Sequence, residues 1–281
     1  MSSLWKFAIP LIAISAAIHA DESSTDAHTA NYTFKPLLMD GANNSGTVLG
    51  IEYGLNKTWA FGEKQKPGSP TDFDPIGNGE GLGQDHLFMQ GEIHGVWTPD
   101  EDKNPKTYAK TNVGFGYEFF RIKDSIDISA QAAIEGNQNY DETHNVYTGQ
   151  VLAYHAFTDD MTTYLEGLLA YGQVDAAKDG ARKALTSKTK YDRGNAEIYL
   201  NIGLPHRDVQ YSPIAVGFNF RYFKEINAPV AVTDAKQDEF QYGGIHLKFE
   251  KGFYLAYTAG KLPFDQKSDK IFSIGFSQNL F

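Results

Sequence analysis

From about residue 31 onward the chain alternates apolar with small or polar side chains, and the alternation recurs in segment after segment. Successive side chains of a strand point to opposite faces, so a period of two marks a strand with one apolar and one polar side. "TNVGFGYEFF" puts Val113, Phe115, Tyr117 and Phe119 on one face, with Asn112, Gly114, Gly116 and Glu118 on the other. "SIDISAQAAIEG" sets Ile126, Ile128 and Ile134 against Asp127, Ser129, Gln131 and Glu135. "NAEIYLNIGL" sets Ile198, Leu200 and Ile202 against Glu197, Tyr199 and Asn201, and "SPIAVGFNFRYF" sets Val216, Phe218 and Phe220 against Gly217, Asn219 and Arg221. Soluble strands usually run about 5–6 residues. These runs are longer and suit the roughly 9–11 residues a tilted strand needs to cross hydrocarbon.

Strands are predicted at 31–39, 47–61, 85–97, 107–121, 125–138, 145–157, 161–175, 190–204, 210–223, 239–250, 252–262 and 268–281. Their connections alternate in length. "RIKD", "FTDD" and "FEKG" are tight, whereas "DAAKDGARKALTSKTK" and "KEINAPVAVTDAKQDE" are long and polar. The fold class is therefore all-β: an antiparallel transmembrane β-barrel of twelve strands, with short periplasmic turns and longer extracellular loops. Residues 62–84 are rich in Gly and Pro and fit no strand interior. Either they plug or constrict the lumen, or "LNKT" is a turn and the barrel has fourteen strands.

The N-terminus reads "MSSLWKFAIPLIAISAAIHA": one lysine, an apolar run from Phe7 to Ile18, then small residues. It is too short to span a membrane as a helix and has the layout of a secretory signal peptide, residues 1–20, cut after Ala20 or after Ala17. The barrel domain is then 21–281. Removing one lysine takes the formal charge from −10 to −11. So acidic a chain is a poor partner for nucleic acid, whose phosphates call for a basic surface.

The terminal stretch "KIFSIGFSQNLF" turns Phe272, Ile274, Phe276 and Leu280 to lipid and Ser273, Gly275, Ser277 and Asn279 to the lumen. It resembles the C-terminal signal of bacterial outer-membrane barrels, with Asn279 and Ser277 out of the usual phase. The last four strands resemble small monomeric porins. "LFMQGEIHGVW" is faintly similar to a strand of nucleoside-type channels. The resemblance implies an outer-membrane location among lipids and lipopolysaccharide, and an assembly machinery that reads the strand ending in Phe281.

Chemistry is sparse. The chain has no cysteine, which removes disulfides, thiolate metal sites and thiol nucleophiles. The His-x-Ser pair of outer-membrane lipid-modifying enzymes would set base and nucleophile on one strand face. None of His86, His94, His144, His155, His206 and His246 is followed by x-Ser. "DFDPIGNGE" offers oxygen ligands without the glycine and later glutamate of an EF-hand. Neither a catalytic residue, a metal nor a cofactor is therefore expected.

The informative set faces inward. The phase assigns Glu52, Glu92, Glu118, Asp127, Glu135, Glu166, Glu197 and Glu250 to the lumen, opposed by Arg221 and Lys248, with His94 and His246 beside them. Such a ring of acids would favour cations, and glycines and alanines on the same face leave room. The expected function is an outer-membrane channel for passive diffusion of small neutral or cationic solutes. The alternatives are a lipid-modifying enzyme with a non-standard site, or a structural or surface-interaction barrel whose lumen is filled by hydrogen-bonded side chains.

Overall fold

A computed structural model describes residues 28–42, 46–61, 85–121, 123–205, 213–249, 253–265 and 269–276. The expected signal peptide, residues 62–84, Glu250 and the end from Ser277 to Phe281 lie outside the described residues.

Twelve antiparallel strands close into one barrel: β1 (His28–Asp40), β2 (Thr47–Phe61), β3 (His86–Trp97), β4 (Ala109–Arg121), β5 (Asp124–Gly136), β6 (Thr143–Ala156), β7 (Tyr164–Asp175), β8 (Lys190–Gly203), β9 (Pro213–Ile226), β10 (Glu239–Phe249), β11 (Phe253–Gly260) and β12 (Asp269–Phe276). Each strand pairs with its neighbour in sequence, and β12 returns to β1 through Leu37↔Gly275, Leu38↔Ile274 and Met39↔Ser273. β2 runs unbroken through Asn56 and Lys57, so "LNKT" is no turn and the twelve-strand reading holds. Closure gives every strand a partner on both sides. A sheet in lipid needs this, because hydrocarbon offers the backbone no hydrogen bonds.

The strand faces follow the sequence pattern. Val113, Phe115, Ile126, Ile128, Ile198, Phe218, Phe220, Phe272 and Ile274 are exposed on the outer wall, while Asn112, Ser129, Gln131, Asn201 and Ser273 are buried within. A polar interior and a belt of exposed apolar side chains invert a soluble core, and the belt is a lipid-facing surface. The Lys57 ammonium sits 5.1 Å from the centroid of the Trp59 ring, a cation against a ring face.

The two rims differ. One, called upper here, carries the connections 98–108, 137–142, 176–189, 227–238 and 261–268; the other carries turns such as 157–163. The upper connections hold structure of their own: a short 3-10 turn at Glu101–Lys103, helix α1 (Gly180–Leu185) and helix α2 (Val230–Asp234). Asp179 caps α1, its side chain accepting from the Arg182 N–H. Inside the barrel near the closing seam, Leu37, Met39, Val96 and Ile271 form an apolar cluster. The interior is thus packed there, which the polar inward phase did not foretell.

Candidate functional site: a charged lumen

Ion pairs fill one side of the lumen. Glu135 of β5 and Arg193 of β8 make two hydrogen bonds of 2.7 Å each, and Glu135 is only 2% exposed. β6 and β7 lie between those strands in the wall, so the pair is a chord across the interior. Above it, Arg182 of α1 makes a second bidentate pair with Glu225 of β9, at 2.7 and 2.8 Å. Arg182 also lies 4.0 Å over the Tyr191 ring, and Arg193 lies 5.0 Å over Phe223. Planar guanidinium groups suit both contacts, the forked carboxylate bond and the ring face.

Beside these pairs is a cavity of about 890 Å³. Ile214, Phe249 and Phe253 line its lower end, and Lys106, Tyr108, Leu262 and Asp265 its upper end. Between them stand Lys35, Glu52, Glu92, His94, Arg221, His246 and Lys248. Glu52 accepts from Lys35 at 3.3 Å, Glu92 bonds His94 at 3.0 Å, and Glu197 pairs with Arg221 at 3.0 Å. Glu166 and Glu197 line a smaller neighbouring cavity of about 160 Å³. Glu118 pairs with His86 at 3.1 Å, and Asp127 is in register with it on β5.

All the sequence-assigned acids that are described thus point inward, but the charge balance needs correction. Lys35, Lys110 and Arg193 also lie on inward strand faces, and Lys106 enters from the 98–108 connection. The phase that placed Asn112 inward also places Lys110, and the phase of Glu197 extended back four residues reaches Arg193. Lys35 sits opposite Glu52 in the β1–β2 register. Lys106 carried no such signal, because it reaches the lumen by the fold of a loop. With these cations in place the interior is no ring of acids against two bases.

The small inward residues also differ from expectation. A Cβ at Gly217 would fall 2.3 Å from His246 Nε2, and one at Gly275 would fall 2.5 Å from the Tyr254 ring. At these positions the missing side chain makes room for a neighbour's ring laid along the wall.

The upper end of the cavity is folded over. Thr107 Oγ1 donates to the Phe264 carbonyl, and the Tyr108 N–H donates to Asp265 Oδ1 at 3.1 Å. The Leu262 N–H donates to Asp265 Oδ2 at 2.9 Å. Tyr108, Phe223 and Leu262 pack together beneath, with Phe240, Tyr242 and Phe264 against them. Burial raises the Asp265 pKa to about 6, against the lowering pull of its two N–H donors and of Lys106 and Lys261.

The molecule is therefore a closed twelve-stranded barrel of the outer-membrane kind, with an ion-paired lumen. No protein-family model and no curated protein matches the chain. Several solved structures share its outline. The NanC porin in a rhombohedral crystal form matches with a TM-score of 0.46 at 10% identity, over 89% of this chain and 100% of that one. The KdgM porin in complex with disordered oligogalacturonate matches at 0.38 and 10% identity, over 89% and 99%. Pseudomonas aeruginosa OccD3 (OpdP) matches at 0.32 and 10% identity, over 91% and 92%. At this distance the fold rests on the strand pairing described above, and no solute carries across.

Proposed function

We propose that the protein is an outer-membrane channel for the passive diffusion of small polar solutes, neutral ones foremost. One observation carries this reading: a single cavity of about 890 Å³ takes lining residues from Ile214 and Phe249, near the lower ends of their strands, to Lys106 and Asp265 of the upper connections. A barrel filled only for stability has no need of such a cavity. In this reading Glu52, Glu92, His94, Glu118, Asp127, Glu135, Glu166, Glu197, Arg221, His246 and Lys248 line or border the path. The preference for cations that the acids alone would impose is offset by Lys35, Lys106, Lys110 and Arg193, since nearby opposite charges cancel the field a solute meets. The longer connections face the cell surface and the short turns the periplasm. The outer wall meets lipid and lipopolysaccharide, and the strand ending in Phe281 engages the assembly machinery. The channel needs no cofactor and performs no catalysis.

The test is electrical. Purified protein in a planar bilayer should give discrete steps of current, with a reversal potential near zero under a tenfold KCl gradient. A complete absence of steps would overturn the channel. Steps with strong selectivity of either sign would overturn the balanced lumen and leave the channel standing.

A further inference from the structure

Four rings run along the inner wall. Tyr154 of β6 and Tyr164 of β7 have centroids 5.3 Å apart, Tyr164 and Tyr199 of β8 are 5.8 Å apart, and Tyr199 and His246 of β10 are 5.5 Å apart and nearly parallel at 17°. The last step crosses β9 at Gly217, where any side chain would strike the His246 ring. At the end of this ladder stands Lys248. Its ammonium donates to Tyr199 Oη at 3.1 Å and to Asn201 Oδ1 at 3.4 Å. Among the described residues no carboxylate lies within ion-pair distance of it. Lys35, Arg193 and Arg221 each have one, namely Glu52, Glu135 and Glu197, and Lys110 lies within electrostatic reach of Glu92 and Glu135. Both described partners of Lys248 are neutral, and the cavity around it is also lined by Phe249, Phe253 and Tyr254. A charge set among apolar surface and ring faces favours an opposite charge over water alone, and ring faces favour a flat partner.

We propose that Lys248 and the Tyr199–His246 stack form a binding subsite for small flat monocarboxylates, the carboxylate on the ammonium and the ring against the aromatic wall. The proposal deepens the reading of the cavity as a solute path, and binding can be measured without conduction.

The probe is 4-hydroxybenzoate, titrated into the full chain in detergent and followed by saturation-transfer difference NMR. Its neutral analogue 4-hydroxybenzamide and the non-aromatic carboxylate gluconate are run alongside. The benzoate should give a saturable signal at millimolar concentration and each comparison compound a signal at least fivefold weaker. Lys248→Met should cut the benzoate signal at least fivefold, Lys248→Arg should retain most of it, and Lys236→Met, in an exposed connection, should leave it unchanged. Heat-modifiable gel migration establishes that each variant is folded. An equal signal from the benzamide overturns the role of the charge, and an equal signal from gluconate overturns the role of the rings. An unchanged signal in folded Lys248→Met overturns the site, and so does a wild type that gives no saturable signal. Should Lys248→Met fail to fold, the wild-type comparison of benzoate with benzamide still decides. Binding without current steps would overturn the channel and leave the subsite; steps without binding would do the reverse.

Discussion

At the scale of single residues, the two faces of a strand live in different solvents. Phe218 is 38% exposed on the outer wall, and its neighbour Asn219 lines the main cavity. Arginine at a lipid-facing position near the midplane costs about 2–4 kcal/mol. Phe218→Arg should therefore lower the unfolding free energy by about that amount in lipid vesicles, and Asn219→Arg by clearly less, as measured by urea titration of tryptophan fluorescence. Equal losses would mean that the outer wall does not face lipid. The same inside-or-outside choice set the limits of reading the candidate site from the sequence. Glu92, Glu197 and Arg221 could be placed because each sits in a run of clean alternation. Lys110 and Arg193 could have been placed by extending the same runs. The pairing of Glu135 with Arg193 could not, because strand register across an intervening hairpin brings together residues 58 apart, and local pattern does not encode that distance.

At the scale of elements, the strands and the lengths of their connections were legible, and the structure inside the connections was not. A period of two survives any context in which one face is wet and the other meets lipid, so the predicted strand at 190–204 and the observed β8 (Lys190–Gly203) nearly coincide. The predicted 107–121 starts two residues before β4, because Thr107 and Tyr108 leave the ladder to reach Phe264 and Asp265. The helices α1 and α2 are shorter than two turns and gave no periodic signal. Their placement in the long connections makes a topological prediction. Lys188 and Lys236 are exposed beside them. Trypsin added to intact cells should cut at these lysines, while Lys123 in the tight turn between β4 and β5 stays protected until the outer membrane is permeabilised. Cutting at Lys123 in intact cells would invert the topology.

At the scale of the whole molecule, the bond between the 98–108 and 261–265 connections ties two connections of the upper rim, joining residues 157 apart. It should respond to pH through Asp265. Its pKa in the joined state, about 6, lies above its ordinary 3.8, so joining favours the neutral acid. That contribution, about 3 kcal/mol at most, is complete below the ordinary value and is lost as pH rises through about 6. Hydrogen exchange at the Tyr108 and Leu262 amides, corrected for intrinsic rates, should accelerate between pH 4 and 7. Asp265→Asn should flatten that dependence, and slower exchange at higher pH would reverse the assignment. The position of this bond matters beyond the cavity. β3–β4 and β11–β12, whose connections it ties, stand on opposite sides of the seam where β1 meets β12. Directly under the tie, Leu37, Met39, Val96 and Ile271 pack across the same line. A barrel is torn open most easily where its first and last strands join, and here the top of that join is both strapped and filled. Opening the seam from its upper end must therefore break the strap and this packing together, so severing the strap should shorten the lifetime of the folded barrel under mechanical or detergent stress.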